Sequence, residues 1–147
     1  MAHIQVSVPS TNDKVLRGTD NAPSFNERIN TIETLQEYGF DVSIRLSPFL
    51  YETVDYDLLN NVNVDKCLVE FLRTTPQITE KMKDYINPDD YTHKEGGYRH
   101  LTLDKKLEIL NNLRFKEMTV CDDVQEHYEY FKEHYNHNKN DCCNLRL

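Results

Sequence analysis

The chain has no tryptophan, only four glycines and five prolines among 147 residues, and four cysteines. With glycine this sparse, no glycine-rich phosphate loop can be built, and no low-complexity linker divides the chain. The cysteines, Cys67, Cys121, Cys142 and Cys143, are too few and too oddly spaced to frame a small secreted disulfide scaffold, so they read as thiols in a reducing compartment. No apolar run approaches the roughly 20 residues that span a bilayer. The N-terminus lacks the charged-then-apolar pattern of a signal peptide, and the expectation is a cytoplasmic protein without a membrane partner. Positive charge is scarce too: 17 Lys and Arg stand against 25 Asp and Glu, a net charge of −8. That balance argues against nonspecific binding to nucleic-acid phosphates, while a local basic cleft, and hence a nucleic-acid partner, stays open. No Ser-His-Asp order and no H-E-x-x-H word occurs.

What is present is ordinary globular composition on the polar side, 38% hydrophobic with nine Tyr and six Phe, in a length that suits one domain. The segment 3–10, HIQVSVPS, alternates as a strand, with Ile4, Val6 and Val8 on one face, and ends at Pro9. SFNE, residues 24–27, is a capping box that opens a helix with the stripe Phe25, Ile29, Ile32 and Leu35, stopped by Gly39. A second strand follows at 40–50, FDVSIRLSPFL, with Phe40, Val42, Ile44 and Leu46 on one face and Asp41, Ser43, Arg45 and Ser47 on the other, stopped by Pro48. Residues 55–65 read as a short helix or turn, 66–73 as a buried third strand, 76–86 as a short helix, and DDYTHKEGGYRH as loop. A helix over 101–115 carries Leu103, Leu107, Leu110 and Leu113, a fourth strand covers 116–121, and a last helix carries Val124, Tyr128, Phe131 and Tyr135. Four strands with helices between them predict an α/β fold with a parallel sheet: a partial (βα) barrel segment with a C-terminal helix, or else an open doubly wound sheet. The bare first strand and the polar face of each strand favour the barrel, whose complete form takes about 250 residues. The expected division is 1–121 for the barrel part and 122–147 for helix and flexible tail.

Over residues 4–50 the order of motifs resembles the central part of radical S-adenosylmethionine (SAM) enzymes, in particular the spore photoproduct lyase and DNA-repair-photolyase-like group. The matching features are a strand ending in serine (Ser7, Ser10), a loop arginine (Arg17), the helix start Ala22 to Ser24, the run Glu27 to Ile29, Gly39 before the next strand, and Pro48 at its end. Over 66–121 the order of elements fits without a signature word. The resemblance implies a partial barrel of which this chain holds the fourth strand onward, with SAM as cofactor. The family's C-x3-C-x2-C motif, which binds a [4Fe-4S] cluster, has no counterpart here, nor has its glycine-rich SAM motif. The cluster would therefore have to come from a partner or from an N-terminal half, and the chain alone would not perform the radical, lyase-like reaction. By the same resemblance Ser7 or Ser10 would meet the ribose, Arg17 or Arg28 the SAM carboxylate, and Ser43, Arg45 and Ser47 the cofactor or substrate. The substrate stays open.

Each of these residues also has a plainer role. Arg45 fits an ion pair with Glu70 on the next strand, Ser7 and Ser10 fit a strand end and a turn, and Arg28 fits a solvated helix surface. Cys121 closes a strand at the active face, as a hydrogen-atom donor or a packed thiol. In the tail, His134, His137, Cys142 and Cys143 have spacings that zinc can use, yet no second cysteine pair accompanies them, and His127, His134 and His137 read as a wet, Glu-rich helix. Two further function classes compete: a non-enzymatic binding or assembly protein on a half-barrel scaffold, which self-associates or pairs with a half-barrel chain, and a metal protein using the tail.

Overall fold

A computed structural model describes residues 2–18 and 22–139. Four strands, β1 (His3–Ser7), β2 (Asp41–Phe49), β3 (Lys66–Phe71) and β6 (Glu117–Val120), form one parallel sheet in the order β1-β2-β3-β6. The order never reverses. Under the right-handed crossover rule this keeps the connecting helices on one face, as in a barrel, and gives no switch point of the doubly wound kind. The fold is the α/β partial (βα) segment that the alternation of elements predicts.

Helix α1 (Asp13–Leu16) is a short turn, α2 (Phe25–Glu37) is the capping-box helix, and Ser24 Oγ accepts from Glu27 N at 3.1 Å. Helix α2 packs on β1 and β2, and α6 (Gln125–His134) packs on β6. Helix α3 (Tyr56–Asn60) precedes β3, and α4 (Pro76–Lys81) and α5 (Leu103–Leu110) lie between β3 and β6. The helix-side face of the sheet supplies the core, with Ile44, Leu46, Val69 and Val120 all at 0% exposure against Ile32 and Phe131, also at 0%. Each such side chain contributes about 1.5–3 kcal/mol by leaving water.

Several boundaries differ from the sequence expectation. The stretch read as loop contains a hairpin, β4 (His93–Glu95) and β5 (Tyr98–His100), turned by Gly96 and Gly97 at φ +63° and +80°. Two consecutive positive φ values are what a tight primed turn requires, and glycine adopts them without steric cost. The hairpin is tied to the chain after β3 by reciprocal backbone bonds between Thr74 and Arg99, both 2.8 Å. Pro48 does not end β2; the strand continues to Phe49 through a register shift that accommodates it. Strand β1 stops at Ser7, so Ser10 lies in the turn beyond it. The helix expected over 101–115 closes at Leu110, and the one over 76–86 at Lys81.

Candidate functional site at the carboxyl ends of the strands

Ligands of parallel α/β sheets bind outside the carboxyl ends of the strands, because there the loops diverge and the backbone leaves polar groups unpaired. In this chain that edge carries Ser7, Arg45, Ser47, Glu70, Cys121 and Asp122. Their common face follows from register: Ser7 lies beside Arg45, Arg45 beside Leu68, and Leu68 beside Thr119. The face is not uniformly polar. Its middle is dry, with Leu68 and Thr119 at 0% exposure and Ser43 at 5%. Thr119 Oγ1 is buried without a hydrogen-bond partner. At the opposite, amino end, Asp41 Oδ2 accepts from Lys66 Nζ at 2.8 Å and lies 2.6 Å from His3 Nδ1; the Lys66 bond holds its carboxyl below the usual range.

At the carboxyl edge, Arg45 Nη2 donates to Glu70 Oε1 at 2.6 Å, which is the pairing expected from the alternating strands. An open cleft of about 440 Å³ adjoins this pair and is lined by Ser47, Glu70, Phe71, Arg73, Ile78 and Tyr98 among others. Its far wall is Arg73, which stacks 4.1 Å above the Tyr98 ring and pairs with Asp123 at 3.3 Å. Both arginines thus already face carboxylates. An anionic ligand would have to displace one of them, whereas a hydroxyl-bearing ligand can bond to Glu70 or Ser47 and leave the pairs intact.

Of the seven residues that the family resemblance points to, Ser43 lies in the dry middle of the face, and the other six divide into two groups. Ser7, Arg28, Arg45 and Ser47 come together: Arg28 Nη1 donates to Ser7 O at 2.8 Å, and Ser7 Oγ lies 3.5 Å from Ser47 O. Arg28 is therefore no free solvated arginine; its Nε also donates to Pro23 O at 3.0 Å, and burial lowers its pKa. Ser10 and Arg17 stand apart. Ser10 is 1% exposed and its hydroxyl is shared with Thr53 Oγ1 at 2.6 Å and Asn12 N at 3.0 Å, while Arg17 is exposed and 3.8 Å from Glu27.

Behind the cleft lies a cluster that the sequence reading did not anticipate. Lys106, from α5, is 2% exposed, and its Nζ lies 2.8 Å from Asp122 Oδ2 and 2.8 Å from His127 Nδ1. An ammonium only donates, so His127 Nδ1 accepts and the ring carries its proton on Nε2. Burial and the neighbouring Lys106 push the His127 pKa down to about 4, and burial lowers that of Lys106 against the pull of Asp122. The His93 ring lies 5.2 Å from His127, and His100 6.1 Å from His93. A cavity of about 30 Å³, lined by Glu70, His100, Lys106, Cys121 and Asp122 among others, separates this cluster from the cleft. That volume and polarity suit a single water molecule.

His127, expected on a wet, Glu-rich helix, is 4% exposed, which corrects that expectation for this residue. The signal for both residues was in their spacing. Lys106 falls three residues after Leu103 and four before Leu110, and His127 three after Val124 and four before Phe131, so each occupies an apolar stripe. His134 and His137 are exposed beside Glu133 and Glu117, and Cys142 and Cys143 lie outside the described residues. Among the described residues no group of three or more His, Cys, Asp or Glu is arranged to hold a metal ion. None of their helices is long and apolar enough to cross a membrane.

What the geometry defines is an α/β segment with a polar rim at the carboxyl edge of a one-way parallel sheet. No family model, curated protein or solved structure matches the chain.

Proposed function

We propose that this chain is the C-terminal wall of a radical SAM-type barrel, which supplies the ribose and substrate side of the SAM pocket and depends on another half for the iron-sulfur cluster. The observation that carries the reading is the uninterrupted strand order with Ser7, Arg45, Ser47 and Glu70 gathered at its carboxyl edge. A carboxylate and serine hydroxyls beside a cleft suit a vicinal diol, which needs acceptors and donors and no net charge. Arg28, bonded to Ser7 O, brings a basic group to that edge on the β1 side. The groups present fit the ribose end of SAM. They do not fit the cluster, since the described residues bring no set of cysteines together.

A second reading, a half-barrel scaffold that binds or assembles without catalysis, is favoured by the mutual neutralisation of Arg45 and Glu70. Anaerobic titration of the purified chain with SAM separates the two. The catalytic reading expects measurable affinity, weakened about tenfold by Ser7→Ala, which removes a hydroxyl contact, and by Arg45→Ala, which removes the partner that holds Glu70 in place. A chain folded by circular dichroism that shows no SAM affinity, alone or co-expressed with its upstream coding product, sinks it.

A further inference from the structure

The composition leaves a local basic cleft open despite a net charge of −8, and the hairpin carries one. Lys94 of β4 and Arg99 of β5 are direct cross-strand partners, and both are exposed. Alternation sends His93, Glu95, Tyr98 and His100 to the opposite face, where His93 and Tyr98 are half-buried and His100 is buried. Register therefore holds the Cβ atoms of two cations about 5 Å apart, and like charges directly opposite each other destabilise an antiparallel pair. Two strands of three residues have little to set against that, since isolated hairpins are marginal in water.

At the cleft beside Glu70 both arginines already face carboxylates. Lys94 and Arg99 reach none among the described residues, in a chain with 25 acidic side chains to 17 basic ones. Together they line an open cleft of about 420 Å³ with Thr74, Pro76, Gly96 and Gly97, and Arg99 also borders a second one of about 330 Å³ beside Thr75 and Thr79. The acidic groups on these linings are engaged. Glu95 Oε2 accepts from Gln125 N at 3.2 Å and its Oε1 lies 3.6 Å from His93 Nε2, while Glu80 pairs with Lys83 at 2.9 Å. The rim is bare backbone. Two of the chain's four glycines form it, both at positive φ and with nothing within 4 Å of an added Cβ, so a ligand can approach the peptide closely there.

We infer that this face of the hairpin is an anion site, and that its ligand is the phosphoryl group of a small phosphate ester, held between the Lys94 ammonium and the Arg99 guanidinium with its organic part in the cleft. A dianion meets both charges at once and turns their repulsion into a shared attraction, and the guanidinium fork matches phosphate oxygens. A polynucleotide fits less well, because a chain of net charge −8 repels a long polyanion, whereas two cations suffice for one phosphoryl group. None of Ser7, Arg45, Ser47 and Glu70 lines this cleft, so the inference and the SAM reading fail separately.

The test follows backbone amide resonances of the chain at constant ionic strength and about pH 7.5, where phosphate is mostly dianionic. Inorganic phosphate should shift the Gly96 and Gly97 amides saturably, with a dissociation constant of about 1 mM, and chloride should not. Phenyl phosphate should bind more tightly than inorganic phosphate; equal affinity overturns the organic part of the assignment. Lys94→Gln and Arg99→Gln should each weaken phosphate about tenfold, as loss of one charge-assisted contact does. Lys94→Glu separates binding from structure, since it makes the cross-strand pair attractive. Without phosphate its Arg99 amide, bonded to Thr74 O, should exchange about threefold more slowly than in the wild type, while phosphate binding is lost. Unchanged affinity in Lys94→Gln, an equal response to chloride, or faster exchange in Lys94→Glu overturns the inference. A single-stranded oligonucleotide that shifts the same amides at an about hundredfold lower phosphate concentration overturns its restriction to small ligands.

Discussion

Lys106 is the residue on which the upper half of the molecule converges, because one buried ammonium joins α5, the β6 carboxyl end and α6. Removing one member of a buried ion pair leaves the other charge without compensation, at about 3–5 kcal/mol. Lys106→Met should lower unfolding free energy in a urea titration by that amount, and Asp122→Asn added to it should recover part of the loss. A loss under 1 kcal/mol would show that Asp122 finds water in the neighbouring cavity. His127 adds a pH dependence. Its folded pKa, about 4, lies below its ordinary 6.5, so the unfolded chain takes up the proton first. Stability present above pH 6.5 should therefore drain as pH falls toward 4, and His127→Gln should flatten that part of the profile. Glu52 has the opposite sign. Burial raises its pKa, Oε1 is buried without a partner, and Oε2 accepts from Asn87 N at 2.9 Å. The raised value means stability that is full in acid and lost as pH rises through the folded pKa. Glu52→Gln should accordingly raise the melting temperature at pH 7 and change little in acid; a lower melting temperature at pH 7 would mean that the carboxylate is held by water.

The elements were legible where one rule governed them. The capping box at Ser24 and the alternation of β2 each follow from a local pattern, and both appear where the pattern puts them. The hairpin was not legible, because KEGGY reads as breakers until Thr74 is seen to supply a backbone partner to Arg99 from 25 residues earlier, a tertiary contact that no local period reports. For the site, Arg45 and Glu70 could be paired from strand alternation alone, whereas Lys106 and His127 were hidden by the habit of assigning charged residues in a helix to its wet face. The same logic bears on the hairpin turn. Gly97 holds φ +80°, and nothing lies within 4 Å of an added Cβ, so Gly97→Ala tests backbone strain without a clash. The left-handed conformation costs a non-glycine residue about 1–2 kcal/mol. Thermal unfolding should fall by that amount, and an unchanged curve would mean that the hairpin opens before the rest and does not share its stability.

At the scale of the whole molecule, burial has a direction. Leu46 and Val69, at the centre of the sheet, are fully buried, the β6 side is sealed by Asn136 and α6, and β1 holds half-buried Ile4 and Val6 against an open cleft. Opening free energy tracks buried apolar contact, so local stability should decline from β3 and β2 toward β1 even though β1 keeps its full ladder to β2. Native-state hydrogen exchange can read this from amides that all face inward. Val8, bonded to Arg45, should exchange through an opening of lower free energy than Cys121, whose amide is bonded to Val69 on the other side of the sheet. If Val8 and Cys121 instead exchange with one free energy, the sheet opens as a single unit, and the packing of α2 on β1 makes up for the half-buried Ile4 and Val6.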